Sequence, residues 1–269
     1  LAIVVLVVAQ TLAELLASVL VLLKVPMGIC NIVAGILYLA FAYIILKLVY
    51  EKFLHEKLSD FGITKFKFDP KWLVIGLLLP ICVIGFYLLA FKGEYVSGGL
   101  TSDAIFARIA SGIFFGGMAG GFVEEMVFRG IIFRSVEKAW NTKIAAIFPS
   151  VLFGAVHILG LSFTPLSCIL VILAGTAVGI MFTMITIESG SIWSDGIVHM
   201  LWNSIVIGGI ITIGTAVDDN AIMSYIPEIK TFPITGGEFG IESSVISLVA
   251  YVIVAVIAYI FIRNRRQAQ

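Results

Sequence analysis

Three apolar stretches of this chain carry residues able to do hydrolytic chemistry. They are GGFVEEMVFRG at 120–130, FGAVH ending in His157, and HMLWN running from His199 to Asn203. A deprotonated glutamate beside a neutral imidazole can take a proton from a trapped water, and that water can attack an amide carbonyl. Glu124 and Glu125 are adjacent, about 100° apart on a helix, and cannot share a face. Glu125 and Arg129 stand four apart with the acid first, the favourable order for an ion pair. That pair is read as structural, which leaves Glu124 without a partner on its own helix. Asn203 lies four residues after His199, so the imidazole and the carboxamide share one face and can donate to a developing oxyanion. Asp195, one turn before His199, either orients that ring or is a polar residue near the helix start. Ser150, Ser204 and Cys168 have no base at helical spacing, so a hydroxyl or thiol nucleophile is the weaker reading. His55 stands among Lys and Glu and reads as a solvated surface residue.

These groups must be positioned in a membrane. Of 269 residues, 60% are hydrophobic and 13% charged, with a mean hydropathy of +1.11. Soluble domains are nearer about half apolar and a quarter charged. An ionisable side chain at depth is costly and by default marks a site or a pair. We expect an all-α polytopic bundle of about eight spans, near 1–23, 28–50, 72–91, 104–133, 144–160, 166–187, 192–214 and 243–262. The chain forms a single membrane domain over 1–269, and KLVYEKFLHEKLSDFG at 47–62 extends the second helix or lies along the interface. Lysines 47, 52, 57, 65, 67 and 71, then Arg134, Lys138, Lys143, Arg263, Arg265 and Arg266, gather at one end. The positive-inside rule makes that end, with both termini, cytoplasmic. The long outer segment 215–242 is acid-rich. A net charge of zero gives no signal for nucleic acid. Cys30, Cys82 and Cys168 are scattered in separate apolar runs and read as packing residues.

Counting from a hairpin near 139–141, Glu124 and His157 both lie roughly 21–23 Å along their helices, and His199 about 10 Å from the same side. With the hairpin tip protruding, all three meet at one level below the basic end. Gly116, Gly117, Gly120 and Gly121 precede the glutamates and either allow close helix packing or bend the helix. Glu14, in the first span, is an acid that this arrangement leaves unexplained.

Glu124-Glu125-xxx-Arg129, Phe153-xxx-His157 and His199-xxx-Asn203, in that order on separate apolar helices, resemble the motif set of the CAAX protease and bacteriocin-processing family. This Abi-type group includes the Rce1-like type II CAAX prenyl endopeptidases. The resemblance covers 112–205. It implies an intramembrane glutamate-type endopeptidase of the cell membrane. Glu124 and His157 would activate water, His199 and Asn203 would form the oxyanion hole, and Glu125, Arg129 and Phe153 would support them. Substrates would be a CAAX-like lipidated tail or a small peptide or leader; prenylation of the substrate and the oligomeric state are left open. A zinc-dependent version would use Glu124, His157 and His199. The metal-independent reading is preferred because Asn203 is a poor zinc ligand and a good donor. Two readings from other classes are a non-catalytic bacteriocin-immunity or binding protein, and a transporter with a proton relay.

Overall fold

The computed structural model describes residues 1–158 and 164–267 and, of Glu238, the backbone. Its architecture is a helical bundle. In chain order α1 is Ala2–Leu22, α2 Met27–Phe53, α3 Pro70–Ala90, α4 Ser102–Ala139 and α5 Thr142–Val156. Then come α6 Pro165–Ser189, α7 at 192–207 and α8 Val245–Gln267. Polar residues start several of them. Asp69, Thr101, Asn141, Thr164 and Ser191 each accept a first-turn N–H, in front of α3, α4, α5, α6 and α7.

Six helices, namely α1, α2, α3, α4, α6 and α8, are long and apolar enough to cross a membrane. The chain is a multi-pass membrane protein. Its outer surface is correspondingly apolar: Val4, Leu15, Leu78, Ile81, Val252 and Val256 are all exposed. The other two expected spans form shorter helices. Helix α5 has 15 residues, under the roughly 20 a full crossing needs, and the expected end of that span at residue 160 lies outside the described residues. Helix α7 was expected to run to 214 but stops at 207. Gly209 follows in the left-handed region, at φ 76°, and Ile211–Ile213 turns into a strand.

That strand belongs to a small sheet that helical periodicity did not reveal. Strand β1 (Gly93–Ser97) pairs antiparallel with β3 (Met223–Pro227), and β2 (Ile211–Ile213) pairs parallel with β3. The expected outer loop 215–242 is therefore partly ordered into β3 and two short helical turns, Phe232–Thr235 and Gly237–Phe239. At the basic end, α2 stops at Phe53, and His55 turns the chain at φ 56°. The amphipathic stretch then folds back, burying Leu58, Phe61 and Ile63 in the main apolar cluster with Val127 and Ile131.

The bundle is tied at that end by Glu188, the last acid of α6. Its Oε1 accepts from Lys71 Nζ at 3.0 Å and Arg265 Nη2 at 2.7 Å, and its Oε2 from the Trp72 indole N–H at 2.9 Å. One carboxylate thereby clamps the start of α3 and the end of α8 onto α6.

Candidate active site

Helix α4 carries the glutamates and is not a uniform α-helix. Ser111–Gly120 and Met126–Ile132 are wound as wider π-type turns on either side of Gly121–Glu125. Such turns cluster at functional sites because they re-aim side chains. The glycines explain how α7 comes so close. A Cβ on Gly117 would strike Ser204 Oγ and lie 3.1 Å from the Met200 carbonyl oxygen. One on Gly121 would lie 2.9 Å from the Met200 backbone nitrogen. Glycine therefore does both things expected of it: the helix winds differently, and its backbone touches a neighbour.

This contact delivers His199 to the glutamates. Its Nδ1 lies 2.7 Å from Glu125 Oε1. A carboxylate only accepts, so Nδ1–H donates and the opposite nitrogen, Nε2, faces Glu124 Oε2 at 3.8 Å. Phe182 stacks on the ring, with centroids 4.5 Å apart. Glu125 Oε1 also accepts from Arg129 Nη1 at 3.0 Å, and Arg129 Nη2 donates to the Gly179 carbonyl at 3.1 Å. The predicted Glu125–Arg129 pair is present and wholly buried. Its anion has a further duty, because it is Glu125 that orients His199. Asp195 does not take that role: its Oδ2 accepts from Thr186 at 2.7 Å. Glu125 reaches the ring because α4 and α7 approach at glycine. The Glu125 and Asp195 carboxyls are both buried and lie close enough to share one hydrogen bond, which needs a proton on one of them.

His157 caps the end of α5. Its Nδ1 lies 2.6 Å from the Phe153 carbonyl, so Nδ1–H donates and Nε2 carries a lone pair. Phe153 supports both sides, lying under the Arg129 guanidinium at 4.6 Å and against the His157 ring at 4.6 Å. Asn203 opens the wide last turn of α7 and gives one amide N–H to the Gly116 carbonyl at 3.0 Å. The second amide hydrogen has no acceptor among the described residues.

Glu124, His157, His199 and Asn203 line one cavity of about 170 Å³. Phe153 also lines it, while Asp195, Glu125 and Arg129 stand behind it. Among the described residues no three His, Cys, Asp or Glu side chains are grouped to hold a metal ion.

Sequence reasoning missed Trp202, Tyr251, Phe239 and Glu242, which line the same cavity. Glu242 precedes α8 on a turn pinned by Ser243 Oγ, which donates to the Gly236 carbonyl at 3.0 Å. Burial, and then the charge of Glu124, push its carboxyl up to about 8. An acid directly before an apolar run is the one signal that would have flagged it. The cavity rim, formed by Ile207, Phe239 and Glu242, belongs to the end of the bundle that carries the sheet. His199 lies seven residues after the first residue of α7, about 10 Å along the helix, and the rim lies at the opposite, sheet-bearing end. Ser150 donates to the Ala146 carbonyl at 2.7 Å. Glu14 faces a lateral groove with Cys30, Asn31 and Phe115, away from this cavity, and accepts from Gln10 at 2.9 Å.

Residues 103–205 match the family model of "Type II CAAX prenyl endopeptidase Rce1-like". The chain is 24% identical over 147 residues, 49% of its length, to "Putative membrane peptidase YdiL" of Bacillus subtilis (strain 168). It spans 57% of the length of that relative. No solved structure matches. The matched segment holds every one of the motif residues that line or brace the cavity, and both likenesses support a protease. In residues 103–205 this chain is thus similar to the Rce1-like type II CAAX prenyl endopeptidases, the family that its motifs resemble.

Proposed function

We propose that the protein is an intramembrane glutamate-type endopeptidase that works without a metal ion. The observation that carries this is the single cavity into which α4, α5 and α7 bring Glu124, His157, His199 and Asn203. Glu124 is the one of the two adjacent glutamates that pairs with no arginine or lysine among the described residues, and its side chain is 25% exposed. A water between Glu124 and the free Nε2 of His157 gives its proton to Glu124 and its oxygen to the scissile carbonyl carbon. The oxyanion then accepts from the second amide N–H of Asn203. His199 can add a donor as an imidazolium, the one form in which Nε2 carries a proton while Nδ1–H stays on Glu125. When the C–N bond breaks, Glu124 returns the proton to the leaving amine, so the proton balance closes.

Substrates in this reading are peptides or lipidated protein tails that enter from the lipid bilayer. The basic loops and both termini lie in the cytoplasm, by the positive-inside rule. The rim at the sheet end would then be the far side of the site. The test is the purified protein in liposomes with a peptide library, read by mass spectrometry. Cleavage in the wild type, lost in Glu124→Gln and in His157→Ala, is expected. Cleavage that persists unchanged in both variants would remove the assigned roles.

A further inference from the structure

The catalytic cavity does not end at its rim. Ile207, Phe239 and Glu242 also line a neighbouring cleft of about 500 Å³, whose far wall holds Arg108, Thr212 and Asp218. Arg108 lies on α4 and rests its guanidinium against the last turn of α7. Its Nη2 donates to the Ile207 carbonyl at 3.2 Å. Its Nε–H is buried and has no acceptor among the described residues. No carboxylate among them forms an ion pair with it. Asp218, on the same wall, accepts the Asn220 N–H at 2.9 Å through Oδ1.

A guanidinium that lines a cleft and has no ion pair among the described residues can hold a planar anion, because the guanidinium fork matches a carboxylate with two parallel hydrogen bonds. The charges along the path give that anion a direction. Glu124 makes the inner cavity repellent to a carboxylate, and Arg108 is the one cation among the described residues lining the outer cleft, where it stands with Asp218. From Asn203 to the Ile207 carbonyl is about 6 Å along α7, a distance that a few extended residues of about 3.3 Å each cross with ease. A chain terminus is the carboxylate that every peptide substrate brings.

Resting on the endopeptidase reading above, we propose that Arg108 anchors the C-terminal carboxylate of the substrate. The residues after the scissile bond then run from the cavity past Glu242 into this cleft. Arg108 is thus a specificity residue for short C-terminal tails, and it selects against internal bonds of a long chain.

The experiment uses a mixed fluorogenic peptide library prepared twice, once with free C-terminal carboxyls and once amidated, on the full chain in liposomes. Amidation should raise KM about tenfold in the wild type and change kcat less than about twofold. Arg108→Gln should raise KM for the free acids to the amide value and abolish the discrimination, and Arg108→Lys should keep part of it. Binding of both libraries to Glu124→Gln, followed by fluorescence polarisation, separates the two hypotheses. Preference for free acids in binding, with no cleavage by the wild type, keeps the anchor and removes the protease. Cleavage of acids and amides alike by the wild type, or discrimination undiminished in Arg108→Gln, overturns the anchor alone.

Discussion

Glu188 and Glu124 are both glutamates within apolar helices, and the protein treats them in opposite ways. Glu188 is 1% exposed, and Lys71, Arg265 and Trp72 occupy both its oxygens. Glu124 has the Nε2 edge of His199 at 3.8 Å as its nearest basic group, and faces a cavity. A fully satisfied carboxylate is a clamp and has no spare basicity. In the proposed mechanism the one beside a space, Glu124, serves as the base. Contact with a cavity, together with the lack of a strong cation partner, is what sets Glu124 apart from Glu188.

Glu124→Gln should make the contrast sharpest. It keeps the shape and removes the base, so kcat should fall about 10³-fold, with the melting temperature in detergent unchanged. Glu188→Gln should do the reverse, costing about 2–3 kcal/mol of stability while activity per folded molecule is retained. That figure sits below the usual range for a broken buried pair because Lys71 and Arg265 are 31% and 54% exposed and can find water. Thermal melting and active-site titration on the same samples check both. Equal losses of activity from both variants would erase the distinction.

Gly117→Ala tests the contact that connects α4 to α7. The new methyl would meet Ser204 Oγ and sit 2.7 Å from the Gly112 carbonyl oxygen, so about 1–2 kcal/mol of stability should be lost. Activity should fall further than stability, since any shift of α7 moves His199 off Glu125. A pH-dependent effect concerns the third glutamate. Burial pushes the Glu242 carboxyl up to about 8 in the folded protein, from its ordinary 4.5. Its raised value means the stability it contributes is complete below about 4.5 and is lost as pH rises through about 8. Melting temperature should fall by a few degrees between about pH 5 and pH 9, and Glu242→Gln should flatten that fall. Glu124 and Tyr251 share its surroundings, so the slope should shrink rather than vanish.

Much of this was written in local spacing. The apolar runs announce membrane helices, because lipid leaves the backbone no other way to satisfy itself. Acid-first spacing predicted the Glu125–Arg129 pair. Two adjacent acids, only one of which can pair with Arg129, singled out Glu124 before any coordinates. His157, His199 and Asn203 followed from being polar where polarity is costly. Other features were not legible. Asp195 sits at the right spacing to orient His199, yet Glu125 does so from another helix. The early stop of α7, the strands and the Glu242 turn all depend on pairings between segments far apart in the chain.

The amino-acid sequence alone determined that this protein lives in a bilayer and which few side chains are too polar to be there without a reason. Both are sums over local composition and helical period, which need no knowledge of neighbours. Tertiary structure decided which of those side chains is saturated and which is left facing a space. It decided which carboxylate holds which imidazole, and that Arg108 and Glu242 join the same path. Those outcomes turn on distances of 3–4 Å between helices, and the chain sets such distances only when glycine seams bring backbones together.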